Sequence, residues 1–188
     1  MQRKCVLAAL GMLVASGTIA QERAVQTGTK TCDAGYAVAV EVTIPLDDME
    51  KAGETFGKAF DDLQSMAEAE GFTLLGPTRI VLRNMGPTAD GTMPFELQML
   101  IIEQPTDADL QAQLGFAILR LEPQEVAYTY HKGTLDQIQM SFMGLINWVQ
   151  ETKLQLAGLP WMVMYPALDG GEPRSCEIQV PVQGGQGQ

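Results

Sequence analysis

Two stretches of this chain carry the same order of hydrophobic patterns, and that duplication limits the possible folds more than anything else in the sequence. Residues 36–44 are rich in β-branched side chains and stop at Pro45, the pattern of a strand. Asp47 and Asp48 can then cap a helix whose buried stripe is Met49, Ala52, Phe56, Ala59, Phe60, Leu63 and Ala67, closed by Gly71. Residues 72–82 and 95–104 read as two further strands around Met85-Gly86-Pro87. The order returns with a strand at 124–131, a turn at Gly133-Thr134 and a helical stripe of Leu135, Ile138, Phe142, Leu145, Val149 and Leu156, closed by Gly158. Strands at 161–165 and 175–182 follow, around Asp169-Gly170-Gly171. Letters repeat as well: Glu96-Leu97-Gln98-Met99-Leu100-Ile101 reappears as Glu177-Ile178-Gln179-Val180-Pro181-Val182. A duplicated β-α-β-β unit with pseudo-two-fold symmetry is expected, an α+β domain with an antiparallel sheet and two main helices. Repeat one spans 35–104, a connector 105–122 and repeat two 123–182, with a polar flexible lead-in at 21–34 and a disordered tail at 183–188.

Strand alternation turns this layout into a candidate site. In the last strand Cys176, Ile178, Val180 and Val182 fall on one face and Glu177 and Gln179 on the other. The partner strand divides Leu97, Met99 and Ile101 from Glu96 and Gln98 in the same way. With helices on the apolar face, both Glu/Gln pairs look toward the place where the repeats meet, unless they simply stand in water on an open face. A carboxylate in a groove there suits a cation or a donor-rich ligand, and Tyr128, Tyr130, Trp161 and Tyr165 are candidate walls if they are not core.

The N-terminus reads as an address. Arg3 and Lys4 precede an apolar run from Val6 to Ala15, and Thr18 and Ala20 sit at the −3 and −1 positions of a cleavage site, the pattern of a secretory signal over 1–20. The run is shorter than the roughly 20 residues of a spanning helix, so a periplasmic or secreted protein with no stable membrane span is expected. Cleavage removes Cys5 and leaves Cys32 and Cys176, which an oxidising compartment can join, or which stay as two separate thiols. Over 188 residues the net charge is −11, with no basic cluster, which argues against nucleic acid as a partner. Cysteine and histidine spacing supports no metal module, and no cofactor is expected.

The stretch Val126-Ala127-Tyr128-Thr129-Tyr130-His131-Lys132-Gly133-Thr134-Leu135-Asp136-Gln137-Ile138 resembles the strand-to-helix signature of the GyrI-like small-molecule-binding family. Trp148, Gly158-Leu159, Tyr165-Pro166 and the closing strand at Glu177 continue the resemblance over most of the chain. The same domain forms the effector-binding half of AraC- and MerR-type activators and is related to the SOUL haem-binding fold. The resemblance implies a duplicated β-α-β-β fold with a central cleft, often floored by an acid, for bulky cationic or aromatic compounds. Glu177 matches that acid by strand position. Thr134 departs from the family, which usually has proline followed by an aromatic there, and no basic helix-turn-helix segment is present.

The expected function is therefore that of an exported stand-alone domain binding a small hydrophobic or cationic molecule. Three alternatives stay open. A hydrolase would use Glu177 as general base, with Tyr165 or Tyr128 as donor. A haem protein would need His131, the single histidine, as axial ligand. A protein-interaction module would receive a partner in the groove. The Met162/Met164 and Met140/Met143 pairs read as pocket or core filler rather than a copper site.

Overall fold

The computed structural model describes residues 27–84, 86–111, 114–131, 137–165 and 176–184. The expected leader, the turn at Gly133-Thr134, the Asp169-Gly170-Gly171 turn and residues 185–188 of the expected tail lie outside them, whereas Gln183, expected in that disordered tail, is the last residue of a strand and pairs with Gln155. Repeat one forms β2 (Gly35–Pro45), α1 (Ala52–Ala69), β3 (Leu74–Leu82) and β4 (Thr92–Ile101). Repeat two forms β6 (Gln124–His131), α3 (Ile138–Glu151), β8 (Trp161–Met164) and β9 (Cys176–Gln183). The chain is thus α+β and duplicated, as the repeated pattern requires. Gly71 ends the first helical segment in the left-handed region at φ +86, a conformation glycine adopts without a Cβ clash.

Several local readings are corrected. Thr27–Cys32, expected within the flexible lead-in, is a strand, β1. Its threonines 27, 29 and 31 alternate with Gly28 and Lys30, the period of an edge strand. The connector carries a short helix, α2 (Asp107–Gln111), and a strand, β5 (Ala117–Leu121). Asp47 and Asp48 cap nothing: they lie in a 3-10 turn over Leu46–Lys51, and the first turn of α1 has no side-chain cap. The second helix stops at Glu151 rather than at Gly158, because Lys153 takes φ 60 and Leu154 N–H returns to the Val149 carbonyl at 3.1 Å. Leu156, read as helix stripe, instead lies in the two-residue β7 (Gln155–Leu156) and is half exposed.

All strands pair antiparallel, in the order β1-β6-β9-β8-β3-β4-β2-β5, with β7 beside β9. The β3·β8 pair is the pseudo-two-fold junction, and outward from it the repeats run β3-β4-β2 and β8-β9-β6. Each repeat then lends its leading strand to the other, β1 to β6 and β5 to β2. That exchange dictates the curl. Only Asp33 and Ala34 separate β1 from β2, yet these strands lie near opposite margins of the sheet; Glu122 and Pro123 join β5 to β6 across the same gap. Three virtual bonds of 3.8 Å span at most about 11 Å, so the two margins must come together and the sheet becomes a half-barrel.

Both helices cover the convex face. Leu63 and Ala67 of α1 pack on Val38, Met99 and Ile101, while Phe56 meets Phe95 edge-on at 5.1 Å. Leu145 and Val149 of α3 pack on Ala127, Ile178, Val180 and Val182. Met162 and Met164 join the cluster of Ile80, Phe95 and Leu97 under α1. Neither α1 nor α3 packs on the concave face.

Candidate functional site in the concave face

Register decides what faces the hollow. Directly paired residues share a face, so Glu96 and Gln98 on β4 run through Val81 and Arg79 on β3 and Trp161 and Val163 on β8 to Gln179 and Glu177 on β9. From there the row continues to Tyr128 and Tyr130 on β6 and to Gly28 and Lys30 on β1. Every residue singled out by alternation thus lies on the face opposite the helices.

Glu177 is the centre of the arrangement. It is 0% exposed, and burial of a carboxylate demands compensation from every side. Tyr165 Oη donates to Oε2 at 2.8 Å and Gln179 Nε2 donates to Oε1 at 2.9 Å. Lys30 Nζ makes an ion pair with Oε1 while its ammonium lies 5.1 Å from the Tyr128 ring centre. Tyr128 and Tyr130 meet edge to face at 5.8 Å. Burial and then the hydrogen bond to Glu177 hold the Tyr165 phenol well above its ordinary range, so it stays a donor. Tyr130 is raised by burial and by the Glu177 charge. On the far side of Gln179, Cys32 Sγ donates to Oε1 at 3.4 Å, its thiol raised chiefly by burial.

A cleft of about 830 Å³ opens where the sheet margins converge. Lys30, Tyr165 and Gln179, which hold Glu177, line it, and Glu177 itself lies behind them. Its other walls come from both repeats: Leu75, Pro77, Arg79 and Leu100 from the first, Val163 from the second, and Cys32 from the leading strand. Trp161, Tyr128 and Tyr130 stand on the same face without lining this cleft. Glu96 and Gln98 form the symmetry-related set and do not line it either. There Gln98 Nε2 donates to Glu96 Oε1 at 2.7 Å, and Arg83 supplies the cation, with Nη1 3.3 Å from Glu96. Glu96 borders a smaller hollow of about 480 Å³ with Glu41, Phe116 and Ile118.

Sequence reasoning missed Lys30 and Arg79. Lys30 was hidden in a segment read as unstructured, although the threonine alternation around it was a usable signal. Arg79 sits in a strand whose other residues are mostly apolar, and nothing local distinguishes it from a solvated arginine.

The disulfide is not formed. Cys32 and Cys176 are both free. Cys32 pairs with Gln124 at one end of β6 and Cys176 with His131 at the other, seven residues or about 23 Å away and on opposite faces. No bond of disulfide length spans that separation. Burial alone pushes the Cys176 thiol up to about 11. His131 is buried on the convex side, with Nδ1 2.9 Å from Ser141 Oγ of α3, so it packs a helix rather than facing the cleft.

No family model matches the sequence, and no curated protein does. Solved structures match closely in shape. The EcmrR C-terminal domain superposes with a TM-score of 0.64 at 15% identity, over 86% of this chain and 99% of that domain. In the EcmrR–DNA complex the match spans 57% of the EcmrR chain. SAV2435, solved bound to tetraphenylphosphonium, gives 0.53 at 13% identity over 85% of this chain and 94% of that one. A hydrolase from Listeria innocua gives 0.60 at 12% over 84% and 92%. The chain has the fold of a GyrI-like effector-binding domain, as the stretch from Val126 to Ile138 suggested.

Proposed function

We propose that this protein binds a small apolar or aromatic molecule in the cleft at the converging sheet margins, without turning it over. The observation that carries the reading is the cleft itself: about 830 Å³, walled by both repeats, with a fully buried carboxylate behind it held by Lys30, Tyr165 and Gln179. A space of that size with a few fixed polar groups is the usual form of a small-molecule site. SAV2435 supports the reading, since the same fold there holds tetraphenylphosphonium.

Of the two ligand classes suggested by the sequence, the geometry favours the apolar one. A cationic head would have to displace Lys30 from Glu177 before reaching the acid. The same pairing argues for binding over hydrolysis: a general base needs an unoccupied lone pair aimed at water, and Glu177 already accepts from Lys30, Tyr165 and Gln179. Export through the segment 1–20 belongs to the proposal too. It rests on the signal pattern and is tested by the N-terminus of the protein recovered from a periplasmic fraction, expected at Gln21; an uncleaved chain retained in the cytoplasm counts against it.

Binding is tested with a Trp148→Phe variant, which leaves Trp161 under the cleft wall as the sole tryptophan. Titration with a panel of hydrophobic compounds is expected to change its emission saturably for at least one compound, recovered chemically intact. A flat response across the panel sinks the proposal.

A further inference from the structure

The charges around the cleft are not all spent. Lys30 is matched by Glu177, Arg120 lies 3.3 Å from Glu122, and both Glu103 oxygens accept from the Thr73 N–H at 2.9 and 3.0 Å. Arg79 differs. It lines the cleft half-buried in mid-strand, its guanidinium making no ion pair and no hydrogen bond with any described residue. Burial pushes its guanidinium below the ordinary value, and the groups that oppose this shift are Cys32 and Tyr165, not a carboxylate. Asp33 and Glu103 stand on the rim, beyond ion-pair reach of it. What Arg79 does touch is the Trp161 ring, 5.9 Å from its centre. Trp161 is 6% exposed, and its Nε1 is a buried donor without a partner among the described residues.

In the cleft wall Arg79 therefore lacks an acceptor, and a planar guanidinium fork matches a carboxylate, sulfonate or phosphate edge. Beside it the cleft presents apolar surface that water covers poorly. Leu75 is 44% exposed and Ile102 60%, with Leu100 and Pro77 between them and Arg79. We propose that the cleft is specific for an amphiphilic organic anion, its acid group on the Arg79 guanidinium and its apolar body on Leu75, Leu100 and Ile102. This rests on the small-molecule reading above and names the ligand class for that same site. Lys30 is the residue that frees the anion site: by pairing with Glu177 it leaves Arg79 as the cleft's unpaired cation among the described residues.

Three probes of one shape separate the possibilities by calorimetry on the wild-type protein: 2-naphthoate, 2-naphthamide and 2-naphthyltrimethylammonium. The carboxylate is expected to bind at least about tenfold more tightly than the other two, the range of a charge-assisted hydrogen bond. Arg79→Gln is expected to abolish that preference, and Arg79→Lys, which keeps charge but loses the fork, to retain part of it. Lys30→Met is expected to shift the preference toward the ammonium probe. Equal affinity for all three, or a wild-type preference for the cation, overturns the anion assignment and leaves the cleft reading standing. Failure of all three to bind counts against the cleft as well. The wild-type comparison decides the matter even if a variant does not fold.

Discussion

If Lys30 ties the leading strand to the floor of the hollow, the stability of the whole half-barrel depends on one ion pair, and a double-mutant cycle measures it. Glu177→Gln removes the charge from a position that is 0% exposed and strands an ammonium beside it. Lys30→Met strands the carboxylate without its cation, leaving neutral donors such as Tyr165 and Gln179 around it. Breaking a fully buried pair costs about 3–5 kcal/mol. The Lys30 side chain is 36% exposed, so water recovers part of that loss, and about 2–3 kcal/mol is expected for either single change. The double variant leaves no unpaired charge and is expected to cost less than the summed singles by about 1.5–2.5 kcal/mol. Urea unfolding, with a common slope for all four proteins, reads these values directly. In thermal melts each single variant should fall by about 5–10 °C, on the scale of a chain this long. Additivity within about 0.5 kcal/mol would refute the reasoning, because it would mean that the two groups do not sense each other.

Other expectations follow from burial and from the free thiols. Leu145→Ala, on the sealed face of α3, is expected to cost about 3 kcal/mol in the same assay, whereas Met140→Ala, 77% exposed on that helix, should stay within about 0.5 kcal/mol. Without reductant the folded chain from residue 21 onward should titrate as two thiols, Cys32 reacting well before buried Cys176; a disulfide-linked mass contradicts the placement of these residues. The Cys176 thiol ionises from about 9.0 in the unfolded chain but only near about 11 in the folded one. Its contribution is therefore present below pH 9.0 and lost as the pH climbs toward 11, so Cys176→Ala should flatten the alkaline decline; an unchanged slope contradicts it.

Much of the architecture was legible in the one-dimensional pattern because it is set by local periodicity. Alternation in residues 96–101 and 177–182 fixed which side chains face the helices, and the helical stripes of Phe56, Leu63 and Ala67 and of Leu145 and Val149 named the contacts that cover the convex face. The same alternation placed Glu177, Gln179 and Tyr165 together on the open side. Helix ends were read less well. Lys153 reaches a left-handed conformation without glycine, so the second helix stops before the residue that looked like its terminator.

The sequence by itself determined a duplicated β-α-β-β unit and the face on which the acids lie, since a period of two or 3.6 is a property of neighbouring residues. Only the tertiary structure decided that β1 and β5 change places between the repeats, because strand exchange depends on pairings between residues far apart in the chain. From that exchange come the curl, the cleft at the converging margins and the arrival of Lys30 at Glu177. No local pattern records that a lysine on the leading strand neutralises an acid on the last one, and it is this long-range pairing that leaves Arg79 as the cleft's unpaired cation among the described residues.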